Sequence, residues 1–196
     1  MITPLPFSLI LIALASSTEQ DLDAHDLARK IKSGDHKAFQ EFYNNHYDSL
    51  LYFLMSRNTS KENAEDLIQK AFIYIWENRA KIEPDKSLRA YIFRIAYTRM
   101  LNHHRDEKKF NNDDDLPEQV NEVTPEDNAQ KSELDLAIDK SIKAMPQKRG
   151  EVFTLCFMEQ LTYNEAAETL GVSKKTIENH MGLALKDIRH ALERFK

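Results

Sequence analysis

Near the C-terminus, Lys175, Thr176, Asn179 and Lys186 recur on one side of a helical wheel, with Leu183 among them. Amide and hydroxyl groups at that spacing can hydrogen-bond base edges in a DNA major groove, and flanking lysines can meet phosphates. Lys and Asn are equally ordinary on a solvated helix face. A second set, Arg94, Thr98, Asn102 and Arg105, falls at i, i+4, i+8 and i+11 on one polar stripe bordered by Tyr91. Residues 89–109 carry six Lys/Arg against two acids. A basic stripe beside aromatics suits backbone tracking and base stacking on opened DNA, although a basic solvated face has the same composition. A third set, Asp66, Gln69 and Lys70, projects from one side of an amphipathic segment and offers hydrogen-bonding groups to a partner helix. Most surface helices carry such groups.

Bond-making chemistry has no comparable support. No nucleophile–base pair stands out. His103 and His104 are adjacent, so they lie about 100° apart on a helix and are poorly placed to share a metal. Cys156 is the single cysteine, which excludes an internal disulfide and a cysteine-built zinc site. It sits among Val152, Phe153, Leu155 and Phe157, where packing accounts for it. With only 4 glycines the chain has no Gly-rich phosphate loop and little material for the turns of an all-β sandwich. The sequence therefore predicts no catalytic residue, no metal, no cofactor and no small-molecule substrate.

The elements that must hold these sets are helical. Asp23 to Lys32 is a short amphipathic helix stopped by Ser33-Gly34. Asp35 can cap a helix from His36 to about Arg57, and Ser60 one from Lys61 to Arg79. In the second, Ala64, Leu67, Ile68, Ala71, Phe72, Ile75 and Trp76 form an i, i+3, i+4, i+7 ladder that predicts one buried face, Trp76 included. Residues 82–86 form a loop, after which Ser87 caps a helix to about Asp106 with Leu88, Ile92, Ile95 and Met100 facing a core or a partner. Four more helices are predicted: Ala129–Ala144, Gln147–Glu159, Tyr163–Leu170 and Lys174–Arg194. Thr162 and Glu165 have capping-box spacing. Gly171-Val172 then turns the chain, and Ser173 caps a longer helix whose inward side is Ile177, Met181, Ala184, Ile188 and Ala191. That order is helix-turn-helix grammar.

Charge divides the 196 residues into parts. The formal net charge is -5. Residues 111–130 hold seven acids and no Lys/Arg, whereas 1–110 hold 16 Lys/Arg against 15 acids and 131–196 hold 11 against 10. The acidic excess thus lies in one twenty-residue stretch containing Asp113-Asp114-Asp115, Pro117 and Pro125, which predicts an extended, self-repelling linker. The flanking bodies are near neutral, so the mean charge does not exclude nucleic acid as a partner. Residues 1–20 contain an apolar run, Leu9 to Ala15, but no Lys or Arg precedes Arg29. The basic flank of a signal peptide is missing and the run is short for a membrane span. It is read as an extension outside the fold, with anchoring or packing on the body as the alternatives. The resulting expectation is an all-α chain with domains at 21–110 and 131–196, joined by a flexible acidic linker at 111–130.

Taken in order, these segments resemble a sigma-70-family transcription initiation factor of the extracytoplasmic-function (ECF) type. Ala64-Glu65-Asp66-Leu67-Ile68-Gln69-Lys70-Ala71-Phe72 is similar to the core-polymerase-binding segment of region 2. Tyr91 to Tyr97 through Asn102-His103-His104-Arg105 resembles the promoter-melting and −10-reading helix. Met145 to Phe153, Leu161 to Ala167 and Val172 to His180 resemble region 4. Tyr97-Thr98 stand where the family often has Arg-Asn, and Leu183 where it often has a basic residue. The resemblance implies a cytoplasmic, non-enzymatic promoter-specificity subunit. It implies binding to core RNA polymerase through Asp66, Gln69 and Lys70. It implies −10 contacts from Tyr91, Arg94, Thr98, Asn102 and Arg105, and −35 contacts from Ser173, Lys175, Thr176, Asn179, His180 and Lys186. An anti-sigma factor is an implied partner. The rival reading is a stand-alone helix-turn-helix regulator whose N-terminal body serves dimerisation or sensing.

Deleting residues 1–20 is expected to leave folding and transcription intact, since the segment lies outside both helical bodies. Loss of activity in the truncated protein, or recovery of the intact protein with membranes, contradicts this.

Overall fold

The computed structural model describes residues 23–110 and 140–193. The apolar N-terminal run and the acidic stretch fall outside them, as does most of the expected 129–144 helix. Among the described residues every regular element is helical. In chain order these are α1 (23–32), α2 (His36–Met55), α3 (Lys61–Glu77), a 3-10 turn (Arg79–Lys81) and α4 (Leu88–Phe110). They continue with α5 (140–144), α6 (Gln147–Phe153), a π-turn (Thr154–Met158), α7 (Tyr163–Leu170) and α8 (Lys174–Leu192).

The helix starts follow from caps. The Asp35 carboxylate accepts the N–H groups of Lys37 and Ala38 at 2.8 and 3.2 Å. Those two bonds hold its carboxyl below the usual carboxylate range. Ser60 Oγ accepts the Asn63 N–H at 3.3 Å and Ser87 Oγ the Ala90 N–H at 3.1 Å. Each cap satisfies an amide that the first helical turn cannot, an effect of about 1 kcal/mol. α4 runs to Phe110, four residues beyond the expected end at Asp106. Neither Gly nor Pro occurs between Leu88 and Pro117, and the i, i+4 pair of His103 with Glu107 at 3.2 Å spans the expected stop.

The core of the first body lies where α2, α3 and α4 meet. Phe42, Leu50, Phe53 and Leu54 enter from α2, and Leu67, Ile68, Phe72 and Ile75 from α3. Ile92, Phe93, Ala96 and Met100 enter from α4, while Ala28 and Ile31 of α1 close one end. The rings meet edge-on, Phe42 on Phe72 at 5.7 Å and Phe53 on Phe93 at 5.3 Å. Burying each such side chain contributes about 1.5–3 kcal/mol. Trp76 corrects the sequence reading, because it is half-buried rather than part of this core. It sits at the rim, with Phe39 at 4.9 Å, His36 at 4.5 Å and the Arg79 guanidinium over its ring at 4.5 Å.

In the second body the expected Gln147–Glu159 helix is interrupted. α6 ends at Phe153 and the chain widens into the π-turn, where the Glu159 N–H bonds to the Thr154 carbonyl at 3.0 Å. The wider turn leaves Phe157 56% exposed while Phe153, stacked on it at 4.9 Å, stays buried. Arg149 of α6 is joined to Asp187 of α8 at 2.6 Å. The capping box is complete: Thr162 Oγ1 accepts the Glu165 N–H and the Glu165 carboxylate accepts the Thr162 N–H. Gly171 takes φ 66°, a left-handed conformation that a residue without Cβ adopts freely. The two bodies lie against each other, with α7 packed on α4.

His46 of α2 is edge-on to Phe42 at 4.8 Å. Burial, assisted by the Arg89 charge, lowers its pKa to about 4. An imidazole held neutral in this way stabilises the fold above its ordinary value near 6.5, and that contribution is lost as pH falls from there toward 4. At pH 5 the loss is about 2 kcal/mol. His46→Leu is therefore expected to show a smaller drop in Tm between pH 7 and pH 5 than the parent. An equal drop in both proteins contradicts this account.

Candidate nucleic-acid interface

The core packing of α4 fixes which side of the helix is left for a partner. With Ile92, Phe93, Ala96 and Met100 inward, Arg94, Thr98, Asn102 and Arg105 stand exposed on the opposite side. Tyr91 borders them, half-buried, with the Arg94 guanidinium over its ring at 5.4 Å. Burial and a hydrogen bond with Tyr74 push its phenol pKa up. Thr98 is exposed, but its hydroxyl donates back to the Arg94 carbonyl at 2.8 Å. Arg105 leans toward Asp106 at 3.6 Å, and its side chain is otherwise open to solvent. The stripe is thus a cationic and amide surface with an aromatic at its N-terminal end.

In the helix-turn-helix, α8 buries Ile177, Met181 and Ala184 against the body. Lys175, Asn179, Leu183 and Lys186 are exposed on the outward side. Ser173 and Thr176 have a local task first. Ser173 Oγ accepts the Thr176 N–H at 3.1 Å and lies 2.9 Å from Thr176 Oγ1, so both hydroxyls belong to the N-cap. Lys175 reaches Glu178 at 3.2 Å across open solvent, a pairing that contributes little. His180 is half-buried, and its Nδ1 is buried without a hydrogen-bond partner. One edge of that ring therefore faces protein, which leaves it less open than Asn179.

On α3, Asp66, Gln69 and Lys70 are exposed together, with Asp66 and Lys70 ion-paired at 2.6 Å. The sequence reading missed two neighbours on the same side, Ile73 and Tyr74, at i+7 and i+8 from Asp66. Ile73 is 56% exposed. Exposed Leu101 of α4 is a further large apolar group, and Arg99 places its guanidinium 5.6 Å from the Tyr74 ring. The signal was present, since Ile73 is a large apolar residue outside the i, i+3, i+4 ladder. A polar edge beside exposed Ile and Tyr has the composition of a protein-binding surface.

No local pattern announces the contacts between the bodies. Arg57, just after α2, is 3% exposed, and its Nε lies 3.2 Å from the Glu151 carboxylate of α6. Its Nη1 donates to the Phe53 carbonyl at 2.6 Å, and its guanidinium lies 3.6 Å from the Phe53 ring centre. Burial lowers its pKa to about 10, so it remains charged at neutral pH. Arg94 Nη1 donates to Glu168 of α7 at 3.3 Å. Burial also raises the Glu159 carboxyl pKa, while Ser49 and Arg89 act in the opposite direction. Burial pushes the Cys156 thiol up to about 11, which keeps it protonated and unreactive. Among the described residues no group of three or more His, Cys, Asp or Glu is placed to hold a metal ion, and no helix is long and apolar enough to cross a membrane.

Comparison with known proteins covers both bodies. The model of Sigma-70 region 2 matches residues 42–110, and that of Sigma-70, region 4 matches residues 135–188; together they take in more than half of the chain. The ECF RNA polymerase sigma factor SigK of Mycobacterium tuberculosis is 28% identical over 183 residues, covering 88% of this chain and 94% of its own. The RNA polymerase sigma factor NccH of Alcaligenes xylosoxydans xylosoxydans is 26% identical over 168 residues, covering 81% and 88%. Among solved structures, the sigma factor RpoE of Bartonella quintana, in complex with the anti-sigma factor NepR, has a similar fold. Its TM-score is 0.64 at 23% identity, over 80% of this chain and 98% of that one.

The assignment of faces on α3 is open to a direct check. Asp66→Ala and Gln69→Ala are expected to change stability by no more than about 0.5 kcal/mol, as exposed sites do. Phe72→Ala is expected to cost about 3–5 kcal/mol. Urea unfolding of the three variants measures this, and comparable losses in all three contradict the assignment.

Proposed function

The chain belongs to the sigma-70 family, in its extracytoplasmic-function group, and from that membership we propose how its two bodies divide the work of promoter-specific transcription initiation. Region 2 binds core RNA polymerase through the α3 side that carries Asp66, Gln69 and Lys70, extended by Ile73 and Tyr74. The exposed stripe of α4 then meets the −10 element. Arg94 and Arg105 attract the backbone, Asn102 and Thr98 offer hydrogen bonds, and Tyr91 supplies a ring on which an unpaired base can stack. Region 4 sets α8 in the major groove of the −35 element, with Asn179 at a base edge and Lys175 and Lys186 toward phosphates.

The observation that carries this reading is the presence of both sigma regions in one chain, each with an exposed polar helix face. A stand-alone regulator has no use for a region 2 that matches over residues 42–110. The protein acts by binding and contributes no reacting group of its own. Its place is the cytoplasm, with core polymerase and promoter DNA as partners. An anti-sigma factor is a further proposed partner, since the RpoE relative is held by one. Run-off transcription with purified core polymerase tests the proposal. A promoter-dependent transcript that requires the chain supports it. Duplex binding by the chain alone, with no effect on core, contradicts it.

Positioning and reading separate within α8. Lys186→Ala is expected to weaken all promoters about equally and to reduce the salt slope of binding by about 1. Asn179→Ala is expected to cost about 1–3 kcal/mol only at sites carrying the matching base. Its effect should be confined to one −35 position and leave −10 preference unchanged. Transcription from a library randomised at both elements measures this, and a uniform loss for Asn179→Ala shows that it does not read sequence.

A further inference from the structure

One large apolar side chain stands on the side of α8 that the proposed function sets in the major groove. The helix buries Ile177, Met181 and Ala184. At about 100° per residue, Thr176, Asn179, Leu183 and Lys186 follow one another along an outward stripe, at i, i+3, i+7 and i+10. Leu183 is 45% exposed in the middle of it. It belongs neither to the hydrophobic core nor to the half-buried side chains packed against that core.

A single exposed leucine is ordinary on a protein surface. Two observations set this one apart. Its neighbours on the stripe are polar, and exposed Leu185 is two positions on, about 200° round the helix. The stripe thus lacks the second large apolar group from which a protein-binding patch is built. The other observation is Gly182, inside the 19-residue helix, where an added Cβ would meet nothing within 4 Å. Packing within the chain does not call for glycine there, and glycine weakens a helix interior. Gly182 flanks Asn179 about 60° round on the side away from Leu183. Without a Cβ at that position the α8 backbone can approach a groove wall closely.

The chemistry of the groove selects what Leu183 meets. Thymine alone of the four bases presents an apolar group there, its C5-methyl; the others present acceptors and amino donors. Leucine has nothing to offer those groups, and covering them would strip their water and leave them unpaired. Against a methyl the same side chain removes apolar surface from water on both partners. Leu183 therefore favours one base and disfavours three. It lies four residues beyond Asn179, about 6 Å along the helix at about 1.5 Å per residue. That is no more than about two base steps of about 3.4 Å.

Resting on the reading of α8 as the −35 helix, we propose that Leu183 is a specificity-determining residue whose side chain covers the C5-methyl of one thymine in the −35 element, on either strand, within about two base pairs of the pair that Asn179 reads. Gly182 supplies the clearance that lets the helix seat at this depth. Hydrogen bonding from Asn179 and methyl contact from Leu183 then read neighbouring positions by different physics.

Holoenzyme assembled from the full chain and core polymerase tests this on a promoter selected from a library randomised at the −35 element. Each −35 thymine is replaced in turn by deoxyuridine, which removes the methyl and keeps every hydrogen-bonding group of the base. At one position the parent is expected to bind about fourfold more weakly, the equivalent of one apolar carbon. Leu183→Ala, an exposed change that leaves the buried side of α8 intact, is expected to bind thymine and deoxyuridine there equally. Asn179→Ala is expected to weaken both fragments and keep the fourfold ratio. Should Leu183→Ala lose helicity by circular dichroism, Leu183→Gln decides, and it too must bind the two bases equally. A selected −35 element without thymine overturns the proposal. So does a parent indifferent to every replacement, or a fourfold ratio that persists without the leucine. Run-off transcription from the same promoter separates the two readings. A chain-dependent transcript with no methyl effect overturns only the role of Leu183, whereas no promoter-dependent transcript overturns both.

Discussion

The orientation of α4 depends on the contact of Phe53 with Phe93, edge-on at 5.3 Å between α2 and α4. It fixes the rotation of α4 about its axis. With Phe93 turned inward, Arg94 must turn outward, and Thr98, Asn102 and Arg105 follow at about one, two and three turns' distance. The ring of Phe53 also carries the Arg57 guanidinium at 3.6 Å, with Tyr97 of α4 beyond it at 5.9 Å. Arg57 in turn meets Glu151. One aromatic seam thus orients the exposed stripe of α4 and seats Arg57, which meets Glu151 of region 4.

The same physics accounts for how much could be read from the residues alone. Caps and ladders are local, so Asp35, Ser60, Ser87, Thr162 and Ser173 stand at helix starts as their side chains dictate. The buried and exposed sides of α3 and α8 follow from i, i+3, i+4 spacing. Trp76 was misjudged because periodicity gives direction and not depth. The last residue of a ladder faces the core yet has only α2 and the Arg79 turn to cover it. The π-turn after Phe153 and the length of α4 also escaped the pattern. Asp106 is tolerated within the helix while His103 and Glu107 pair along it.

The seam between the bodies was not legible at all. Arg57 and Glu151 are 94 positions apart, and each is of a type that usually faces water. Nothing near either residue shows that it will be buried. Only the fold brings them to 3.2 Å. The DNA-facing candidates could be named from sequence because surfaces inherit the period of the helix that bears them. Contacts between bodies have no period.

The central claim is that one chain reads two promoter elements, and does so only on core polymerase. Hydroxyl-radical footprinting of a dependent promoter, with the chain alone and with chain plus core, tests it most directly. The account predicts two protected patches about 25 base pairs apart in the presence of core, a span on the order of 80 Å, and no discrete patch from the chain alone. A single patch produced equally well without core contradicts it, because that is the footprint of a helix-turn-helix protein acting by itself.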